Sequence, residues 1–396
     1  MNQIITKRKR IVSLSVALLI MIGIYFLGLN VGNGNISFSS SSLNGSLPKT
    51  LNFTSVNQEY QALISNYDGK LTATQLLNGI KHGLADAAND PYTEYFTAQE
   101  ASQFNSELNN SFSGIGAELG TNQQNQIIIM SPLKGYPAAA AGLEANDVIA
   151  DINGQSTSSM TVEQAVNAIR GKAGTIVTLT IISGGVQKDL KIKRESITVP
   201  SVSYKIINGN IGYISVITFA DDTSSLIQQA ANNMVSNHVK GIILDLRDNP
   251  GGLVSAAVAT ASEWLKPGQK VMDEKHGNVV IQTYDATGGN VLNGIPTVVL
   301  VNGGSASASE ITAGALHDNH DAYIIGTQTF GKGVVQQLIN LNDGSELKVT
   351  IASWYRPDGQ DINHLGITPD QKVTQPSSSS TDLQLNAAEQ YLESAK

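Results

Sequence analysis

The strongest constraint on the fold is a set of short apolar runs that end in Gly-rich turns and lead into helical patterns. Residues 241–253 read "GIILDLRDNPGGL", and residues 296–316 read "PTVVLVNGGSASASEITAGAL". Each starts as a buried strand and passes through a glycine turn. A helical pattern follows, "VSAAVATASEWL" (254–265) in the first case and "SEITAGAL" in the second. "IGYISVITF" (211–219), "SSLIQQAANNMVSN" (224–237) and "AYIIGTQTFGKGVVQQLINL" (322–341) continue the alternation. Strands alternating with helices predict an α/β core, a mixed sheet with helices, over 196–375.

Two regions of different pattern precede it. In 51–108 apolar residues recur three and four apart, as in "VNQEYQALISNY", which predicts an N-terminal helical subdomain. "DPYTEYF" (90–96) interrupts it at Pro91. Residues 109–195 read as short strands with turns and one helix, "TVEQAVNAIRG". The "FSGIG" loop (112–116), the stretch "AAAAGLEANDVIADING" and the closing helix–strand pair resemble a PDZ domain. A Gly-rich loop leaves backbone N–H groups free for a peptide carboxylate, here those of Gly114, Ile115 and Gly116, and a strand edge can pair with the peptide. The bland alternative is a PDZ-like module used only for packing.

At the N-terminus, "KRKR" (7–10) precedes an uncharged apolar run from Ile11 to Leu29. That length suits a transmembrane helix, and the basic flank predicts a cytosolic N-terminus with the rest of the chain outside the cell membrane. A cleaved signal peptide is the rival reading; an uncleaved anchor over 1–34 is the expectation, because no clean small-x-small site follows. Residues 35–50 form a Ser/Asn/Gly linker, and 376–396 a Ser-rich loop with a C-terminal helix. The formal net charge of −8 argues against a nucleic-acid partner. The chain has no cysteine, which excludes disulfides, thiolate metal sites and a Cys nucleophile.

The chemistry gathers around "NGGSASASEI" (302–311). Ser307 falls just past a strand, at a helix start, where N–H groups can stabilise an oxyanion. Ser305 or Ser307 could equally be a simple helix cap. A base for such a serine is found in "TFGKGVVQ" (329–336). Lys332 lies between two glycines and beside apolar Phe330, Val334 and Val335, surroundings that lower a lysine's pKa and let the neutral amine take a serine proton. A lysine in a glycine turn is otherwise often just exposed. His317 and His320, in "LHDNHDA", offer a histidine base or a metal pair, but a polar turn of this kind is usually solvated.

Taken in order, "DPYTEYF", the PDZ loop, "LDLRDNPGG", "GSASASE" and "TFGKGVVQ" closely resemble the carboxy-terminal processing peptidases, the tail-specific serine proteases with an inserted PDZ domain. The resemblance implies an α/β protease core with inserted PDZ domain, N-terminal helical subdomain and transmembrane anchor. It implies Ser307 as nucleophile, Lys332 as general base 25 residues on (332 − 307) and Gln336 as the residue holding the Lys amine. On alternating strand geometry, residues four apart share a face, which suits that role. The N–H of Ala308 and of Gly251 or Gly252 match the oxyanion hole. Arg170 is a candidate regulatory contact between the PDZ domain and the core, or a helix C-terminal charge. No metal or cofactor is implied. The expected partners are protein or peptide substrates held by their C-termini, the membrane through the N-terminal helix, and further copies of the chain, since the terminal helices carry apolar faces. The alternative function is a PDZ adaptor on a degenerate, inactive protease fold.

Overall fold

The structure is a computed structural model that describes residues 50–376 and 381–394. Residues up to Thr72 separate as one unit and those from Ala73 as another. The first holds a single described helix, α1 (Thr54–Asn66), with no buried residue.

The second unit opens with α2 (Ala73–Asp86), β1 (Glu94–Phe96) and α3 (Ala98–Leu108). Thr97 starts α3 with a reciprocal cap. It accepts the Glu100 N–H, while its own N–H donates to the Glu100 carboxylate. The PDZ-like module follows: β2 (Ser111–Gly114), β3 (Ala117–Thr121), β4 (Ile127–Pro132), α4 (Pro137–Ala140), β5 (Val148–Ile152), β6 (Gln155–Ser156), α5 (Val162–Ile169), β7 (Ile176–Ser183), β8 (Val186–Lys193) and β9 (Glu195–Thr198). Its sheet runs β3-β4-β5-β7-β8 around a core of Ile127, Ile129, Ile149, Val177, Leu179 and Ile181. The segments by which the chain enters and leaves the module, β2 and β9, pair with each other.

The remaining elements are β10 (Val202–Ile207), β11 (Ile211–Val216), α6 (Thr223–Ser236), β12 (Gly241–Asp245), α7 (Val254–Ser262), β13 (Lys270–His276), β14 (Val279–Asp285), β15 (Thr297–Val301), α8 (Ala308–Asp318), β16 (Tyr323–Gly326), β17 (Val334–Asn340), β18 (Glu346–Tyr355), β19 (Gln371–Lys372) and α9 (Leu383–Ser394). The main sheet runs β10-β11-β12-β15-β16-β19 and is parallel except for β10. A second, antiparallel sheet runs β1-β18-β13-β14, with β17 also paired to β18.

The layering explains the unbroken apolar runs. Ile242, Leu244, Val299 and Val301 point into one core with residues of α6, α7 and α8. Ile243, Val298 and Leu300 point into another with Ala388 and Leu392 of α9. A sheet covered on both faces needs apolar residues at every position rather than every second one.

The expected transmembrane anchor is corrected here. Among the described residues no helix is long and apolar enough to cross a membrane. The longest, α2 and α6, have 14 residues each, about 21 Å at 1.5 Å per residue, against a hydrocarbon core of about 30 Å. Residues 1–34, where the anchor was expected, lie outside the described residues. The fold is thus an α/β core with a PDZ-like module. One ground for expecting an oligomer also falls away, because α9 buries Ala388 and Leu392 against its own sheet.

Ile243 is fully buried beneath α9. Ile243→Ala should cost about 2–5 kcal/mol of stability, read as a lower urea midpoint. An unchanged midpoint would contradict the two-sided core.

Candidate active site

The loops that follow the carboxyl ends of β12, β15 and β16 converge on one cavity, the usual place for a site in a parallel sheet. They contain, in turn, the "DNPGG" glycines, the "SASAS" serines and Lys332.

The structure separates the serines. Ser305 is fully buried. Its hydroxyl donates to the Leu246 carbonyl at 2.7 Å and accepts the Asn302 N–H at 3.0 Å. Ser309 is also fully buried and donates to the Asn249 carbonyl at 2.9 Å. Both hydroxyls hold the loop after β15 against the loop after β12. Ser307 faces the cavity from the residue before α8, with φ 52° and ψ −112°. A non-glycine residue held there stores about 1–3 kcal/mol of strain and needs surrounding structure to impose it.

Part of that surrounding structure is the glycine turn. A Cβ on Gly251 would lie 2.8 Å from the Ala306 carbonyl oxygen, 2.9 Å from Ser307 Cβ and 3.0 Å from the Ala308 nitrogen. Only glycine lets the turn approach the serine so closely. Asn249, fully buried, fixes the turn: its Oδ1 accepts the Gly251 N–H at 2.9 Å, and its Nδ2 donates to the Val216 carbonyl at 2.7 Å. The Gly251 N–H is therefore already committed. No acceptor among the described residues meets the N–H of Gly252 or Ala308.

Glu310 joins this turn to the lysine loop. Its side chain is fully buried. One oxygen accepts the N–H of Ser307 at 2.9 Å and the N–H of Lys332 at 3.0 Å. The other accepts the Gly331 N–H at 2.8 Å and the Thr329 hydroxyl. Four donors fill the four acceptor positions of a carboxylate. Trp354 completes the mount by donating its indole N–H to the Lys332 carbonyl at 2.9 Å.

Lys332 is partly buried, and that burial pushes its pKa below the ordinary value. The nearby Lys348 lowers it further, while Asp90 opposes both. Its Nζ lies 5.0 Å from the centroid of the Tyr92 ring. The cavity it shares with Ser307, Gly251, Gly252 and Gln336 has a volume of about 650 Å³. Its apolar wall includes Phe104, Leu253, Ile311, Val335, Ile351 and Trp354. Gln336 lines the cavity, but its Nε2 donates to Thr350 Oγ1 at 3.3 Å. A β-bulge between Val335 and Gln336 interrupts the strand alternation, so spacing alone does not place the two side chains on one face.

The PDZ loop residues Gly114, Ile115 and Gly116 border a separate cavity of about 190 Å³, walled by Phe112, Leu119, Val166 and Ile169. The carbonyls of Ile115 and Gly116 accept the N–H groups of Ala138 and Leu133. No acceptor among the described residues meets their own N–H groups. Arg170 lies over the Phe112 ring, 5.0 Å from its centroid, at the rim of this groove. The carbonyls at the end of α5 are taken instead by the buried Arg194, which donates to Ile169 at 2.6 Å. His317 sits at the far end of α8 from Ser307, about 15 Å along the helix. It lies between Asp318 and Asp370 at 3.0 and 3.1 Å.

The sequence reading passed over Glu310, Asn249, Thr350 and Tyr92. Glu310 had a signal, since a Ser followed three residues later by Glu at a helix start is a capping pattern. Tyr92 lay inside the quoted "DPYTEYF". Asn249 and Thr350 act through contacts between segments distant in sequence, which no local pattern reveals.

Known proteins resemble this chain over most of its length. Residues 210–373 match peptidase family S41, and residues 103–182 match the PDZ domain. The chain is 40% identical over 344 residues to a probable CtpA-like serine protease of Staphylococcus aureus (strain bovine RF122 / ET3-1), covering 86% of this chain and 68% of that protein. It is 37% identical over 346 residues to the carboxy-terminal processing protease CtpA of Bacillus subtilis (strain 168), covering 87% and 73% respectively. Among solved structures, the photosystem II D1 C-terminal processing protease superposes with a TM-score of 0.50 at 28% identity, covering 83% of this chain and 88% of that one.

The Gly251 contacts yield a direct test. Gly251→Ala should lower kcat by at least about tenfold, because the methyl displaces Ser307 and Ala308 by tenths of an ångström. Peptide binding at the PDZ loop should be unchanged. Wild-type kcat in this variant would show that the turn does not set the position of Ser307.

Proposed function

We propose, from the premise that the chain belongs to peptidase family S41 and is a serine-type carboxy-terminal processing protease, that it cleaves with Ser307 as nucleophile and Lys332 as general base. The observation that carries this reading is the shared mount. Glu310 binds the N–H of both residues, and both line the cavity that the glycine turn also borders.

Ser307 Oγ bonds to the substrate carbonyl carbon as its proton passes to neutral Lys332 Nζ. The carbonyl oxygen becomes an oxyanion. The N–H groups of Ala308 and Gly252 suit its stabilisation, since each lacks another acceptor among the described residues and Ala308 opens a helix. Collapse breaks the C–N bond, and the Lys332 ammonium gives its proton to the leaving amine. Water then attacks the acyl carbon as its proton passes to Lys332, the bond between that carbon and Ser307 Oγ breaks to release the new carboxyl terminus, and the leaving Oγ takes the proton back from the Lys332 ammonium. Gln336 lines the same cavity and is suited to holding the Lys332 amine if it releases Thr350. The adaptor alternative is not favoured, because the whole set of groups is present.

The PDZ groove suits an apolar substrate C-terminus. Its carboxylate fits the free N–H groups of Ile115 and Gly116, and its chain fits the outer edge of β3, which pairs only with β4. Because β2 and β9 pair where the chain enters and leaves the module, peptide binding is suited to gating the core. Arg170, at the rim, is suited to sensing the bound tail. An extracytoplasmic location rests on the sequence alone, on the basic residues 7–10 before the apolar run.

The test is cleavage of an unfolded protein by purified enzyme. Ser307→Ala and Lys332→Ala should each lose on the order of 10³-fold or more in kcat, and the double variant little beyond that. Lys332→Arg should be equally inactive, since Arg keeps its proton. The neutral fraction of Lys332 grows with pH, so the wild-type rate should rise with pH and level off below the range of an ordinary lysine. Turnover by Ser307→Ala would overturn the reading.

A further inference from the structure

The segment "DPYTEYF" has no part in the steps above, yet Tyr92, Glu94 and Phe96 in it each meet one of two lysines. Tyr92 carries the Lys332 amine over its ring at 5.0 Å, and its N–H donates to Asp90 Oδ1 at 3.3 Å. Glu94 Oε2 accepts from Lys348 Nζ at 3.0 Å, and the Phe96 ring centroid lies 5.0 Å from that nitrogen. Phe104 of α3, stacked on Phe96 at 4.9 Å, has its ring centroid 5.2 Å from the same nitrogen. Both lysines line the catalytic cavity.

The segment also reaches Gln336. Thr93 Oγ1 donates to Asp90 Oδ2 at 2.6 Å and accepts the Thr350 N–H at 3.2 Å. The Thr350 hydroxyl accepts from Gln336. Asp90 is thus linked through Thr93 to Thr350, the residue that Gln336 bonds.

We propose that residues 90–96 form a positioning element for Lys332, in which the Tyr92 ring carries its amine and Asp90 supplies an anion bonded to the Tyr92 N–H, while Glu94 and Phe96 fix a second cation, Lys348, at the same cavity, so that the opposed charges of Asp90 and Lys348 set the pH at which the base becomes available. The proposal rests on the reading of Lys332 as general base. Other groups face the lysine too. Glu107 of α3, Glu274 of β13 and Tyr284 of β14 line the cavity. Glu310 of α8 binds the Lys332 N–H, and the His364 N–H binds the Gly331 carbonyl. The charges that act on the Lys332 amine are Lys348, which lowers its pKa after burial has done so, and Asp90, which raises it. Burial pushes the Asp90 carboxyl up, but hydrogen bonds from Thr350 and Thr93 outweigh it and hold the group below its ordinary value. Asp90 is therefore an anion wherever Lys332 titrates.

The signs follow from linkage. Removing an anion that favours the ammonium lowers the pKa of Lys332, and removing a cation that disfavours it raises that pKa. The acid limb of kcat/KM against pH reports the base in the free enzyme. In Asp90→Asn it should move to lower pH, and in Lys348→Met to higher pH. Tyr92→Leu should lose kcat, and Tyr92→Phe, which keeps the ring face, should recover it. The position of a pH limb does not depend on how much of a variant folds, so a purely structural role would not produce opposite shifts.

A wild-type limb that stays in place in both charge variants, or moves the same way in both, overturns the proposal and leaves Lys332 as the base. A wild-type rate without an acid limb, together with turnover by Lys332→Ala, removes the base reading itself and this proposal with it.

Discussion

The side chain of Glu310 ties the catalytic loops together. Ser307 lies at the end of one strand's loop, and Lys332 lies in the loop of the neighbouring strand. Loops on a protein surface do not by themselves hold two side chains in fixed relation. Here their backbone N–H groups meet on one buried oxygen, and the other oxygen takes two further donors from the lysine loop. Any change that leaves a buried donor unpaired costs about 1–3 kcal/mol for each. The arrangement is rigid because each alternative is worse.

The rest of the site follows from that mount. With Ser307 held at φ 52°, the following residue, Ala308, starts a helix, and its N–H meets no acceptor among the described residues. The glycine turn, held by Asn249, packs against the serine without a side chain between them. Lys332 keeps its backbone in the mount and its amine in a partly buried cleft. Burial and a second lysine favour the neutral form, and one carboxylate opposes them. Mount and charge environment are supplied by different parts of the chain, so each can be altered with the other left in place.

Much of this was legible in the sequence. The apolar runs at 241–246 and 297–301 announced buried strands, and the structure shows why they lack alternation: helices cover both faces. The position of Ser307 and Lys332 on turns after strand ends was legible because glycines and small residues mark those turns. What remained hidden was whatever depends on packing between distant segments. Three serines looked alike until two hydroxyls were seen bonded to Leu246 and Asn249. Gly251 and Gly252 could not be told apart without the Asn249 side chain. The four-residue spacing from Lys332 to Gln336 suggested a shared face, and a bulge undid the argument. The anchor over 1–34 was read from an apolar run and its basic flank, and no helix among the described residues has the length for such a role.

The most direct measurement is the kcat of Glu310→Gln on an unfolded substrate, beside a PDZ-peptide affinity in the same preparation. A glutamine keeps the shape but turns an NH₂ group toward two of the four donors, so the mount breaks on one side. The expected result is a loss in kcat of about 100-fold or more with peptide affinity unchanged, since a misplacement of about 1 Å is enough for that loss. A variant that folds, binds peptide and turns over at the wild-type rate would contradict the claim that this carboxylate holds Ser307 and Lys332 in their working positions.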